Sequence, residues 1–312
     1  MLLAWREFAE GKQKKRDVQE FGLRLMDNIF ALHNDLVAHI YNHGEYQMFR
    51  IADPKPRVIH KATVRDRLVH HAIYRILYPF FDRTFIPDSF SCRLNKGTHR
   101  ALNRFRAFAY HASNNHTRTL WVLKCDIRKF FASIDQRTLL NILCGYIPDV
   151  NVLWLCERVI GSFASTASGK GLPLGNLTSQ LFANVYMNVF DQFVKHQLHA
   201  RYYLRYADDF IIMSDNRHTP EKLLLRIDNF LRNTLKLTLH PDKVWIQTYA
   251  SGVDFLGWVH FPDHRILRTA TKQRMFRRIA EHPTDGTFAS YFGLLRHGNT
   301  FGTQQLLLRI DG

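Results

Sequence analysis

Tyr206-Ala207-Asp208-Asp209 sets two adjacent carboxylates between the apolar runs Leu204-Arg205 and Phe210-Ile211-Ile212-Met213. Ionised neighbours repel each other, and burying them beside a strand is tolerable only if a cation shares the site. The segment 202–213 reads as strand, tight turn and strand. It would hold Asp208 and Asp209 at a hairpin tip, where hard oxygen ligands suit Mg²⁺. A paired-metal site of this type serves in-line phosphoryl or nucleotidyl transfer. An isolated Asp-Asp is more often a polar surface turn, so the rest of the chain has to decide.

The elements that must position these acids are mixed. Leu120-Trp121-Val122-Leu123-Lys124-Cys125-Asp126 is a short apolar run ending in an acid, the pattern of a buried strand that delivers a carboxylate at its C-terminal end. Asp126 stands 82 positions before Asp208, so only folding can bring it to the hairpin. Residues 1–50 read as helical, with Phe21, Leu23, Leu25, Ile29 and Leu32 among charges, and end in a strand at 46–51. Pro54 and Pro56 interrupt regular structure. A helix is predicted over 64–77, with Leu68, Ala72, Ile73 and Ile76 on its apolar face. Another follows Leu172-Pro173-Leu174-Gly175, carrying Leu181, Ala183, Val185 and Tyr186. A further strand region starts at 253–259, and a basic helical tail follows from about Arg265. This order implies an α/β or α+β fold.

The 312 residues are 46% hydrophobic, enough for a globular core. Forty-three Lys and Arg against 27 Asp and Glu give a net charge of +16, which suits a polyanion such as nucleic acid. No apolar run long enough to span a bilayer and no signal-peptide pattern is present, so a cytoplasmic setting without membrane attachment is expected. Cys92, Cys125, Cys144 and Cys156 lack C-x-x-C spacing and are expected to be reduced and mostly buried.

Several further motifs occur in a fixed order. Pro54-Lys55-Pro56-Arg57 is followed by Cys92-Arg93 and Lys96-Gly97-Thr98-His99, then by Asp126-Ile127-Arg128-Lys129-Phe130-Phe131. Gly175-Asn176-Leu177-Thr178-Ser179-Gln180, the Asp-Asp segment and Phe255-Leu256-Gly257 complete the series. Over roughly 46–265 this order resembles a reverse transcriptase. The Pro-Lys-Pro-Arg start, the Cys-Arg segment before Lys-Gly-Thr-His, and the Leu-Gly-x-x-x-Ser-Gln segment resemble the enzymes of diversity-generating retroelements. Leu174 and Gln180 depart from the wider family pattern, and bacterial defence-associated reverse transcriptases share some of this variation.

The resemblance implies an α+β right-hand polymerase with an antiparallel palm sheet. It divides the chain into an N-terminal helical extension (1–50), fingers (51–118), a palm with an interleaved fingers segment (119–262) and a helical thumb (263–312). It implies two Mg²⁺ ions on Asp126, Asp208 and Asp209, with Ile127 beside the first. Lys55, Arg57, Phe131, Leu174, Gly175 and Lys243 are implied around the incoming deoxynucleotide. Arg93, Lys96 and Gln180 are implied on nucleic acid, as are Lys272, Arg274, Arg277 and Arg278 of the tail, where Met275 and Phe276 would anchor the helix. Phe131 would exclude a 2′-hydroxyl.

Leu174 replaces a glutamine whose amide favours correct pairing. A lost hydrogen bond of about 1 kcal/mol would lower discrimination severalfold, and in the family a branched aliphatic residue here accompanies errors opposite template adenine. Expected partners are a template RNA, the primer or cDNA strand, deoxynucleotides, and a small basic accessory protein forming an oligomeric ring. The short remainder beyond the tail leaves no room for a maturase, endonuclease or RNase H domain. An accurate defence-associated enzyme and a non-catalytic RNA-binding module stay open as alternatives.

Overall fold

The computed structural model describes residues 1–52, 56–165 and 167–311. Helices at Leu2–Ala9, Arg16–Leu23 and Leu25–Val37 precede a hairpin of β1 (Gln47–Ile51) and β2 (Arg57–Lys61). Helices Val64–Asp82 and Thr98–Ala112 lead to β3 (Trp121–Asp126). Phe130–Ser133, Gln136–Cys144, Val150–Gly161 and Leu177–Gln192 follow, and then β4 (Tyr202–Tyr206) and β5 (Asp209–Ser214). After helix His218–Thr234 come β6 (Trp245–Thr248), β7 (Val253–Phe255), β8 (Trp258–His260) and β9 (Arg265–Leu267). The helices Thr269–Glu281, Asp285–Leu295 and Phe301–Asp311 end the chain. Among the described residues no helix is long and apolar enough to cross a membrane.

The chain forms two compact units. One holds Met1–Pro87, Ile127–Gln197 and Asp228–Leu239; the other holds Asp88–Asp126, Leu198–Ile227 and His240–Gly312.

In the first unit β1 and β2 pair antiparallel. The helix Val64–Asp82 starts at Thr63, whose hydroxyl accepts from the Asp66 amide and so satisfies one of the free N–H groups of the first turn. It runs five residues beyond its predicted end. Its buried stripe is Leu68, Val69, Ile73, Leu77 and Phe81, whereas Ile76 is 66% exposed. The predicted face was rotated by one position because Val69 and Leu77 continue the i, i+4 rows that Ile76 leaves. Helix Leu177–Gln192 buries residues on every side, Leu181, Ala183, Val185 and Tyr186 among them.

The second unit is built on the antiparallel sheet β4-β5-β3-β6, with a smaller sheet β7-β8-β9 beside it in sequence. Cross-strand partners Val122 and Met213, and Leu204 and Ile211, lie on one face. That face joins a core with Leu102 and Phe105 of helix Thr98–Ala112 and with Phe255, Trp258, Met275 and Ile279. The strand region expected to start at 253–259 opens with two short strands, because Leu256 and Gly257 turn the chain with φ of 50° and 85°. Arg265 begins β9, and the basic helix starts only at Thr269. The cysteines are all free, but only Cys125 and Cys156 are buried. Cys92, with φ of 53°, and Cys144 at the end of its helix are exposed.

Gly298 lets the chain pass against this core. A Cβ there would fall inside the contact distance of the Trp258 ring and 2.9 Å from the Arg265 carbonyl. Trp258 is 1% exposed and cannot swing away. Gly298→Ala is therefore expected to destabilise the protein by about 1–3 kcal/mol, read as a lowered midpoint in thermal or urea unfolding.

Candidate active site

The site grows from the register of β3 against β5. Asp126 lies directly opposite Asp209, and Tyr206 pairs with Asp209 across the hairpin. The turn between β4 and β5 is therefore Ala207-Asp208 alone, with Ala207 in the left-handed region at φ 55°. A two-residue turn of this kind matches the twist of the strands it joins. Arg205, only 1% exposed, supports it: its guanidinium donates to the Ala207 carbonyl at 3.0 Å and to the Ser89 hydroxyl at 3.1 Å.

Like charges directly opposite on neighbouring strands repel. Two lysines offset this. Lys243, on a short turn at Pro241–Lys243, donates to both Asp126 oxygens at 3.0 Å. The His240 amide donating to the Asp126 carbonyl at 2.8 Å ties that turn to the end of β3. Lys124 lies two residues before Asp126 on the same face, 3.7 Å from Asp209 Oδ1, and donates to the Asp254 carbonyl at 2.9 Å. The charge stays undercompensated. Asp209 Oδ1 is buried with no hydrogen-bond partner. Burial, with the Asp126 and Asp209 charges next, pushes the Asp208 carboxyl up to about 6. Burial raises Asp209 as well, against the pull of Lys124.

Asp208 and Asp209, whose ionised forms burial penalises, with Asp126 opposite Asp209 and an unpartnered buried oxygen, fit a divalent cation with oxygen ligands. Among the described residues they do not form a closed ligand cluster, Asp126 being engaged by Lys243. Lys124 and Arg205 were not assigned roles from sequence. A lysine and a buried arginine inside apolar strands next to acids were the available signal.

The other sequence-predicted residues divide between the units. Arg57 starts β2. Leu174 is half-buried and its carbonyl accepts from the His60 amide at 2.9 Å, while the Asn176 amide donates to the His60 carbonyl at 2.9 Å. Gly175 between them has φ of +103°, and a Cβ there would lie 2.7 Å from Ile59. The Leu174–Asn176 segment is thus laced to β2, with Phe131, Ile127 and Gln180 in the same unit. Ile127 is buried and bridges to Leu239. Lys55 lies outside the described residues. Arg93 donates to the Ser89 carbonyl at 3.0 Å, and Lys96 sits over the Phe90 ring. On helix Thr269–Glu281, Thr271, Met275 and Ile279 are buried, Arg277 and Arg278 are exposed, and Lys272 and Arg274 are half-buried.

An antiparallel sheet that carries one carboxylate at a strand end and two at the tip of the adjoining hairpin defines a polymerase palm. Solved structures share the fold. Apo telomerase from Candida tropicalis aligns with a TM-score of 0.55 and 12% identity over 74% of this chain and 52% of that one. The fold is that of a right-hand polymerase. The family model described as reverse transcriptase (RNA-dependent DNA polymerase) matches residues 51–260, more than half of the chain, and the protein belongs to that family.

Among curated relatives, Protein YkfC of Escherichia coli (strain K12) is 25% identical over 266 residues, 72% of this chain and 66% of that one. The group II intron-encoded protein LtrA of Lactococcus lactis subsp. cremoris is 22% identical over 289 residues, 70% of this chain and 46% of that one. The chain thus spans from under half to about two thirds of the length of these relatives.

The Asp208 environment carries a stability consequence. A carboxyl raised in the folded state favours the native form below its unfolded value of 3.8, and that advantage is lost as pH rises through about 6. Asp208→Asn removes the penalty present at neutral pH. In chelator its melting temperature is expected to exceed the parent's by about 1–2 °C at pH 7, the shift given by ~1 kcal/mol in a chain of this size. The gap should close towards pH 4.

Proposed function

We propose that this chain is an RNA-directed DNA polymerase that copies a dedicated template RNA into cDNA, with errors favoured opposite template adenine. The observation that carries the polymerase reading is the Asp126–Asp209 cross-strand pair with Asp208 in the adjoining two-residue turn. Asp126, Asp208 and Asp209 would hold Mg²⁺, which supplies charge neutralisation and nucleophile activation in nucleotidyl transfer. Lys243 keeps a cation beside Asp126. Arg205 holds the turn so that Asp208 and Asp209 stay at the tip, and Lys124 keeps a positive charge on the Asp209 side.

The error-prone part of the reading rests on Leu174. Its side chain offers no hydrogen bond to a nucleotide, and its backbone is fixed against β2. The template RNA, the diversification role, and a basic accessory protein forming a ring belong to the same proposal, which the motif set Lys96-Gly97-Thr98-His99 and Leu174 to Gln180 supports. The net charge of +16 suits RNA. Phe131 is proposed to select deoxynucleotides. One of the solved telomerases, from Candida albicans, is in complex with a fragment of telomeric RNA, which accords with an RNA ligand for this fold.

The test is extension of a primer on a defined RNA template with Mg²⁺ and four deoxynucleotides, followed by sequencing of the product. Asp208→Asn with Asp209→Asn is expected to abolish synthesis; survival of synthesis in that variant refutes the catalytic assignment. Leu174→Gln is expected to lower misincorporation opposite adenine severalfold, the effect of restoring a contact of about 1 kcal/mol. An unchanged error spectrum would remove Leu174 from the fidelity argument and leave the polymerase assignment standing.

A further inference from the structure

A cavity of about 270 Å³ in the first unit is rich in positive charge. Lys12 and Lys15, from the turn after the first helix, line it with Lys61 at the end of β2 and Arg67 of helix Val64–Asp82. Two carboxylates meet this group: Asp17, 2.7 Å from Lys61 and 2.6 Å from Arg67, and Glu10, whose charge acts on Lys12. The Lys12 ammonium instead donates to the Phe8 carbonyl at 2.6 Å and lies over the Phe8 ring. Burial first, and then the neighbouring Arg67 and Lys15 charges, lower its pKa against the opposing pull of Glu10. His70 and His71 also face the cavity. Burial depresses both, His70 to about 3, so neither adds charge near neutral pH.

A second feature points the same way. Gly175, Asn176 and Leu177 line the cavity, and they form the start of the sixteen-residue helix Leu177–Gln192. Asn176 occupies the N-cap; its side-chain Nδ2 donates to the His60 carbonyl, and its Oδ1 makes no cap to the helix. The first-turn N–H groups therefore lack the usual side-chain acceptor and add their partial positive charge to the lysines. Phe8, Phe49 and Ile59 supply apolar wall. Lys15 and Gly175 are exposed, so the cavity is open to solvent at its edge.

We propose that this cavity binds a phosphodiester of single-stranded template RNA, with Lys12, Lys15 and Arg67 as the charged grip and the amides of the Leu177 helix as directional donors. The identity of the ligand rests on the polymerase reading above; the oxyanion chemistry would also accept free phosphate or tripolyphosphate. An open mouth and apolar walls beside the cations favour a chain whose sugars and bases continue past the phosphate.

The experiment is binding of a short fluorescent single-stranded RNA to the full chain, by anisotropy, without Mg²⁺ and across a salt series. Lys12→Ala with Lys15→Ala is expected to weaken binding about tenfold and to flatten the salt slope by about 1–2. Lys14→Ala, which removes an exposed charge outside the cavity, should change little. Equal losses from Lys14→Ala and Lys12→Ala, or no loss from the double variant, would overturn the site. Lys15→Glu alters only an exposed side chain, so a weakened affinity at unchanged melting temperature separates binding from folding and supports the site.

Inorganic phosphate and tripolyphosphate are titrated as competitors. Saturable binding of either that the double variant abolishes, with RNA affinity unaltered, would assign the cavity to free phosphate and refute the RNA claim. Because the assay needs no catalysis, failure of primer extension would sink the polymerase reading while leaving this result to be judged by itself.

Discussion

Two carboxylates facing each other across antiparallel strands are the constraint around which the second unit is organised. Asp126 and Asp209 are opposite by register, so neither can turn away without breaking the β3–β5 pairing. The sheet interior holds the register, since a one-residue slip would send Val122, Ile211 and Met213 to the wrong face. Hydrophobic burial thus imposes an electrostatic conflict that only cations can relieve. The raised Asp208 carboxyl and the unpartnered Asp209 oxygen are that conflict in local form.

The surrounding cations divide the work by position. Lys243 reaches Asp126 from outside the strand, on a turn anchored by the His240 amide. Lys124 approaches from within β3 and is held by the Asp254 carbonyl. Asp254 itself accepts from Arg268 at 2.8 Å, immediately before the basic helix Thr269–Glu281. Arg205 acts on the turn itself: its bond to the Ala207 carbonyl stabilises the left-handed residue that makes a two-residue turn possible. Stability and chemistry pull against each other at the hairpin tip, because the acids that suit a metal are the ones that burial disfavours.

The first unit applies a different device. There uncharged hydrogen bonds, not side-chain charge, place the residues of interest: the Leu174 carbonyl and the Asn176 side-chain amide both bond β2 at His60, and Gly175 admits the close approach of Ile59. Asn176, tied to β2 through its Nδ2, makes no side-chain cap on its own helix, and the proposed anion site uses that terminus. A fold-level economy results, in which one segment both displays Leu174 and opens the end of a long helix.

The acids, the apolar strands that carry them and the polymerase family were legible in the sequence. Each depends on local pattern: an Asp-Asp between β-forming runs, an acid closing a buried strand, and motifs in fixed order. The helices over 64–77 and after Gly175 were legible for the same reason, whereas Thr98–Ala112, Gln136–Cys144, Val150–Gly161 and His218–Thr234 were not read; nor was the face of Val64–Asp82, since Ile76 and Leu77 are equally apolar and only packing chooses between them. The strand region from 253 was legible, but not the position of its turn, where left-handed Leu256 departs from the usual preference for glycine or asparagine. The pairing of Lys243 with Asp126, the support of the turn by Arg205 and the gathering of Lys12, Lys15, Lys61 and Arg67 around one cavity were decided by tertiary structure. They join residues far apart in the chain, and long-range electrostatic geometry leaves no periodic trace in the sequence that encodes it.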